Sequence, residues 1–259
     1  MIKLIVCDLD GTVFNDKKEI DSGLKEVVEK LKKQGVLFTV ASGRNNFLFT
    51  HVIDELNVEL PYISNNGAEI FRSGECIIRN TVPNQYNNYV AKLLYDNDLV
   101  YRVYCTEEIF THGSSEFFNT RHIDHHVDYD PSIDLTNNNI IKITVDHIYN
   151  PNQDFIKKEI ESHCEDVLYT KAEDHVYCVN NAYANKGDAL LKVCELINID
   201  PKEVMAFGDN DNDAKMLKNA GVAVAMGNAE DSLKNIADYV CLDNNHNGIS
   251  NFLIDYFKL

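Results

Sequence analysis

The sequence predicts a doubly wound parallel α/β sheet interrupted by one α+β insert. Three observations carry that prediction. Short apolar runs at residues 2–7, 36–41 and 204–207 alternate with stripes of helical spacing, the strand–helix–strand order of a parallel sheet covered on both faces. From about Pro83 to Asn185 the texture shifts to Tyr, His and Asn with alternating strands, which fits an antiparallel sheet carrying helices on one face. At Lys186 the first texture resumes. The expected division is a core of residues 1–82 and 186–259 and an insert of residues 83–185.

The apolar run at residues 2–7 reads as a buried strand and stops at Asp8-Leu9-Asp10-Gly11-Thr12. Leu24, Val27, Val28 and Leu31 recur at i, i+3, i+4 and i+7, the spacing of an amphipathic helix, and Gly35 is its stop. The second strand, residues 36–41, runs into Ser42-Gly43-Arg44, after which Phe49, Val52, Ile53 and Leu56 form another helical stripe. Residues 61–64 make a short strand before Asn65-Asn66-Gly67-Ala68, and residues 68–72 and 75–79 flank Ser73-Gly74 as a hairpin. In the insert, Leu99, Tyr101, Val103 and Cys105 alternate with Val100, Arg102 and Tyr104, and residues 140–145 and 175–179 read similarly. Helical stripes are expected at Tyr86, Tyr89, Val90 and Leu93 and around Phe155, Ile156 and Ile160. Lys186 then opens a helix with Ala189, Leu190, Val193 and Ile197 inward. The strand at 204–207 ends in Gly208-Asp209-Asn210-Asp211-Asn212-Asp213. A strand at 222–225, a turn at Met226-Gly227-Asn228-Ala229 leading into a helix, a strand at 239–241 and a last helix near 249–257 complete the core.

A net charge of −17 argues against a nucleic-acid surface, because binding a phosphate backbone needs a basic face. It does not exclude a small phosphate met by a lysine, a metal and backbone amides. Seven dispersed cysteines without a Cys-x-x-Cys pair suggest reduced thiols. The N-terminus enters a strand without a charged leader, and no stretch approaches the roughly 20 apolar residues of a membrane span. A soluble cytoplasmic protein, monomeric or a weak homo-oligomer, is expected.

Asp8, Asp10, Ser42, Gly43, Asp209, Asn212 and Asp213 all fall at the carboxyl ends of core strands, where ligands of parallel sheets bind. Carboxylates gathered there repel unless a cation joins them. The candidate ligands are all oxygens, which favours Mg²⁺ over zinc. A hard cation, the lysine at 186, a hydroxyl and glycine-rich backbone suit a phosphoryl group, and a carboxylate is an accepted nucleophile towards phosphorus. A second carboxylate can protonate the leaving alcohol and later deprotonate water.

Asp8-Leu9-Asp10-Gly11-Thr12, Ser42-Gly43-Arg44, Lys186-Gly187 and Gly208-Asp209-x-x-Asn212-Asp213 resemble, in order, the four motifs of the haloacid dehalogenase (HAD) superfamily. The insert resembles its type IIB cap. Asn66-Gly67-Ala68 and Met226-Gly227-Asn228-Ala229 resemble accessory motifs of the Cof-type sugar-phosphatase branch. The resemblance implies a HAD-like core and a phosphatase acting on a small phosphorylated metabolite such as a sugar phosphate. It makes Asp8 the nucleophile and Asp10 the general acid/base. Mg²⁺ would take the Asp8 carboxylate, the Asp10 backbone carbonyl and the Asp209 carboxylate. The phosphate would lie against the Leu9 and Gly43 amides, the Ser42 hydroxyl, Lys186 and Asn212. Asp213 would orient Lys186 or the metal waters, with Thr12 and Arg44 also behind the reacting groups.

Blander roles compete at several positions. Ser42 could merely cap the following helix. Arg44 could pair with the insert or reach a substrate. His122, His125 and His126, with Asp124 and Asp128 nearby, invite a metal reading but offer no third ligand at metal spacing, so a polar surface is expected. Two other functions also merit comparison. A phosphomutase would pass the phosphoryl group to a sugar hydroxyl instead of water. A phospho-aspartate signalling module would need neither an insert of this size nor Asp10 as an acid.

Overall fold

The computed structural model describes residues 1–120, 123, 125–172 and 174–259. The chain forms two compact units, Met1–Arg79 with Ala184–Leu259, and Asn80–Tyr183.

The first unit begins with β1 (Leu4–Cys7), whose four residues are all buried. Helix α1 (Leu24–Lys33) buries the predicted stripe of Leu24, Val27, Val28 and Leu31 and carries Lys30, Lys32 and Lys33 in its last turn, where they face the negative end of the helix dipole. Gly35 follows with φ 79°, the left-handed conformation that ends many helices. Next come β2 (Leu37–Val40) and α2 (Thr50–Glu55). A separate antiparallel sheet of β3 (Tyr62–Ser64), β4 (Glu69–Arg72) and β5 (Glu75–Arg79) is anchored near β2 by an Ala41–Ile63 bridge.

The second unit contains α3 (Asn87–Asp96), β6 (Val100–Cys105), β7 (Ile109–His112), α4 (Glu116–Thr120), β8 (Val127–Asp128), β9 (Ile140–Asp146), α5 (Gln153–His163), β10 (Val167–Lys171) and β11 (Val176–Asn181). Its sheet runs β10-β11-β9-β6-β7-β8, antiparallel except for the β7–β8 pair. Tyr101, Val103, Ile143, Val145 and Val179 from the strands join Val90, Leu94, Ile156 and Ile160 from the helices in one core. Two expected stripe positions turn outward, with Tyr89 36% and Phe155 48% exposed. The phase of α3 is set instead by Val90, Ala91, Leu94 and the buried Asn87, whose amide donates to the Leu135 and Asn138 carbonyls at 3.0 and 2.7 Å.

The chain then completes the first unit with α6 (Lys186–Ile197), β12 (Val204–Gly208), α7 (Ala214–Asn219), β13 (Val222–Ala225), α8 (Asp231–Lys234), β14 (Tyr239–Val240) and α9 (Gly248–Phe257). The five-stranded sheet has the order β14-β13-β12-β1-β2 and every pair is parallel. Cys7 pairs with Phe207 on one side and Val40 on the other, so β12, β1 and β2 release their chains side by side at one end of the sheet. Among the described residues, no helix is long and apolar enough to cross a membrane.

Candidate active site

That register brings the expected acids together. Asp8 leaves β1 beside Asp209, which leaves β12, and α6 delivers Lys186 from its first position. Lys186 Nζ donates to Asp8 Oδ1 at 2.6 Å and to Asp213 Oδ1 at 2.7 Å. All three are buried, with Lys186 1%, Asp8 5% and Asp213 0% exposed. Asp213 spends its other oxygen on the amides of Asp209 and Asn210, at 3.1 and 3.2 Å, so it is locked on both sides. Thr12 donates its hydroxyl to Asp209 Oδ1 at 3.0 Å. Gly11, with φ 75°, turns the chain closely past that group; a Cβ there would lie 2.3 Å from Asp209 Oδ2.

Charge is unbalanced here. Burial pushes the Asp8 carboxyl well up, and the neighbouring Asp213 charge adds to it against the pull of Lys186. Asp209 is raised for the same first two reasons, opposed by the Thr12 hydroxyl. Burial alone would lower the Lys186 ammonium, but Asp213 and Asp8 outweigh it and hold the lysine protonated. One ammonium therefore faces three carboxylates whose oxygens lie within 4.8 Å of one another. With Lys186 on one Asp8 oxygen and Thr12 on one Asp209 oxygen, the second oxygen of each remains for a cation. A hard divalent ion fits this all-oxygen donor set, and its charge would relieve the repulsion that raises both groups.

Asp10 sits differently. Its side chain lies outside that trio and takes Arg44 through Nε and Nη2, both at 2.6 Å, with Lys18 Nζ at 2.8 Å. Burial raises this carboxyl, but the Arg44 and Lys18 bonds prevail and hold it below the ordinary range. Arg44 stands behind Asp10, the place the family resemblance implies for it, and its guanidinium also lies 5.0 Å from the Phe14 ring centre. A bidentate fork onto a carboxylate is the geometry arginine makes best.

Ser42, 0% exposed, follows β2 and accepts the Arg44 amide at 3.0 Å, closing its own turn instead of capping α2. Its hydroxyl hydrogen remains available to a ligand. Among the described residues, no hydrogen bond uses the amides of Leu9 and Gly43. Asn212 is exposed and donates to Asn66 Oδ1 at 2.9 Å. Lys18, Asn66 and Asn228, which donates to the Gly11 carbonyl at 2.8 Å, were given no site role by sequence. Asn66 and Asn228 stand in the two accessory motifs; Lys18 lies in a charged turn with nothing to distinguish it. Of the histidine cluster, His122 and Asp124 lie outside the described residues, and His125 and His126 are exposed.

The chain is similar to known proteins along nearly its whole length. The family model of haloacid dehalogenase-like hydrolases matches residues 5–253. Phosphatase YwpJ of Bacillus subtilis is 26% identical, the alignment covering 97% of this chain and 99% of that protein. The 5-amino-6-(5-phospho-D-ribitylamino)uracil phosphatase YwtE of the same organism is 25% identical, with 97% of both chains covered. A crystal structure of a haloacid dehalogenase-like hydrolase from Bacteroides thetaiotaomicron superposes with a TM-score of 0.80 at 28% identity, over 99% of this chain and all of the other. Since the family match runs from β1 into α9 and takes in every acidic strand end described above, the chain belongs to the haloacid dehalogenase-like hydrolases.

Proposed function

We propose that the protein is a Mg²⁺-dependent phosphatase that hydrolyses small phosphorylated metabolites, sugar phosphates foremost, through a phosphoryl group carried on Asp8. The observation that carries this reading is the buried Lys186 fixed between Asp8 and Asp213 with Asp209 alongside. Similarity to YwtE, named for a phosphate on a ribityl chain, supports a polyol or sugar phosphate as substrate.

In this mechanism the substrate phosphate lies against the unspent Leu9 and Gly43 amides, the Ser42 hydroxyl, Asn212 and Lys186. The Asp8 and Asp209 carboxylates, with the Asp10 carbonyl, would hold the ion, which supplies charge neutralisation for the phosphoryl oxygens. Asp8 attacks phosphorus through a carboxylate oxygen, a P–O bond to Asp8 forms, and the ester P–O bond breaks. Asp10 gives a proton to the departing alcohol oxygen. Water then attacks the same phosphorus, Asp10 takes its proton, and the P–O bond to Asp8 breaks to return the carboxylate with inorganic phosphate. Lys186 stays protonated throughout and balances the oxygens on which charge builds. Choice of leaving group is assigned to the unit Asn80–Tyr183.

The test is phosphate release from a panel of phosphorylated metabolites, with Mg²⁺ and with the metal chelated. Release confined to the Mg²⁺ arm, and needing no bisphosphate activator, is expected. No release from any member, or transfer only between sugar hydroxyls, would overturn the assignment.

A further inference from the structure

Three successive residues between β3 and β4 hold left-handed backbone, namely Asn65 (φ 50°), Asn66 (φ 56°) and Gly67 (φ 94°). For residues other than glycine that conformation costs about 1–2 kcal/mol each, least for asparagine, so surrounding groups must hold it. Glu69 is one of them. It is 3% exposed, its Oε2 accepts from Asn65 Nδ2 at 2.8 Å, and its Oε1 accepts from Arg79 Nε at 2.9 Å. The turn is fastened to the Ser42–Arg44 loop as well. The Asn65 amide donates to the Arg44 carbonyl and the Asn66 amide to the Ser42 carbonyl, both at 2.9 Å. On its far side it abuts the residue before Lys186, because a Cβ on Gly67 would lie 2.3 Å from the Asn185 carbonyl oxygen.

All this fixing delivers one group. The Asn66 carboxamide lies over Gly43, where a Cβ would come within 3.0 Å of its Oδ1, and that Oδ1 accepts from Asn212 Nδ2 at 2.9 Å. The Asn212 amide has two N–H groups and is otherwise exposed at the end of an exposed loop. With one N–H held by Asn66, its second N–H has a set direction and the amide cannot flip to offer its oxygen to an anion. We propose that Glu69, Asn65 and Asn66 form a positioning relay that aims Asn212 at the phosphate. The relay rests on the phosphate-holding role proposed above for Asn212. It gives a purpose to a strained turn and a buried carboxylate that the chemistry itself does not use.

The test measures binding of inorganic phosphate to the intact Mg²⁺-loaded protein by calorimetry, alongside turnover of p-nitrophenyl phosphate. Asn66→Gly keeps the left-handed turn and removes only the carboxamide. It should weaken phosphate binding and raise KM about tenfold, the scale of one hydrogen bond to a charged group, with a smaller change in kcat and an unchanged melting temperature. In an Asn212→Ala background the same substitution should add less than about twofold, because the relay acts only through Asn212. Glu69→Ala should reproduce the Asn66→Gly effect, and Glu69→Gln, which still accepts from Asn65, should recover most of it. Additive losses in the double variant, or wild-type binding by Asn66→Gly, would overturn the relay. A wild-type protein that binds phosphate yet turns over no ester would defeat the hydrolysis reading instead, and the binding cycle would still decide the relay.

Discussion

Replacing Lys186 with methionine tests the electrostatics of the site most directly. The substitution keeps the stem and removes the ammonium that bonds Asp8 at 2.6 Å and Asp213 at 2.7 Å. Each bond to a charged partner contributes about 1.5–3 kcal/mol, and stripping one partner from a buried ion pair costs about 3–5 kcal/mol. Asp213, at 0% exposure, cannot turn to water for compensation. A loss of about 4 kcal/mol at pH 7 is expected, which for a chain of this size lowers the melting temperature by roughly 10 °C. The pH dependence gives the sharper signature. Without the ammonium nothing opposes the burial and the Asp213 charge that push the Asp8 carboxyl up, so ionising Asp8 opposes folding. The deficit against wild type should then be greatest above neutrality and shrink as the pH falls towards about 4, the ordinary carboxyl value, below which the unfolded chain is protonated as well. Urea denaturation of both proteins from pH 4.5 to 8 measures this. A loss under 1 kcal/mol, or one that does not change with pH, would refute the picture of a dry triad held by one cation.

Asp8→Asn should abolish phosphate release and, without added Mg²⁺, raise the melting temperature, because it removes a carboxylate that burial and Asp213 already push towards its neutral form; a melting temperature lowered by several degrees would contradict that electrostatic account. Gly11→Ala should cost about 1–2 kcal/mol in backbone strain and far more in activity, since its Cβ would fall 2.3 Å from Asp209 Oδ2; near-normal kinetics would show that Asp209 is not fixed where the turn places it. In the insert, burial holds the His147 imidazole below its usual range despite the Asn150 carbonyl and Asp146, and the ring also bonds the Tyr169 hydroxyl. The unfolded chain therefore takes a proton first as pH falls through about 6.5, and stability drops below that point until the folded pKa is reached. His147→Gln should flatten the stability profile between pH 7 and 5, and equal slopes in the two proteins would exclude His147 as the cause.

The groups of the candidate site are legible in the sequence because they break a pattern. β1 and β12 are apolar runs that end abruptly in acids, and a parallel sheet leaves such ends adjacent without any further information. Lys186 could be read for a similar reason, standing where the first texture resumes. What escaped was set by contacts between distant segments. Lys18 reaches Asp10 only because the turn after Gly11 folds back, as the Asp10–Phe14 and Phe14–Ile20 bridges record. The Asn66 carboxamide matters through the left-handed turn and Gly43 packing, which no periodicity reports. Tyr89 and Phe155 show the same limit in the insert. Each sits one residue from a buried position, and a helical stripe read from hydrophobicity alone does not fix its phase when a buried asparagine such as Asn87 occupies the inward face.

Asp8 and Asp10 stand two residues apart, yet their environments push them in opposite directions, up for the first and down for the second. A continued strand would put residues two apart on one face, but β1 ends at Cys7 and the chain turns at Gly11, which lets the two acids meet different neighbours. One carboxylate is buried against other acids and one lysine; the other is half-exposed and gripped by an arginine fork and a second lysine. Divergent environments of this kind let one motif supply both a nucleophile and a proton carrier. In the proposed cycle the Arg44 and Lys18 bonds keep Asp10 ionised, which is the form that takes a proton from water in the second step. To act in the first step it must hold a proton as the leaving alcohol departs, and the two cations oppose that form. The mechanism therefore requires the Arg44–Asp10 fork to loosen when substrate enters, and makes that loosening a point at which leaving-group identity can govern rate.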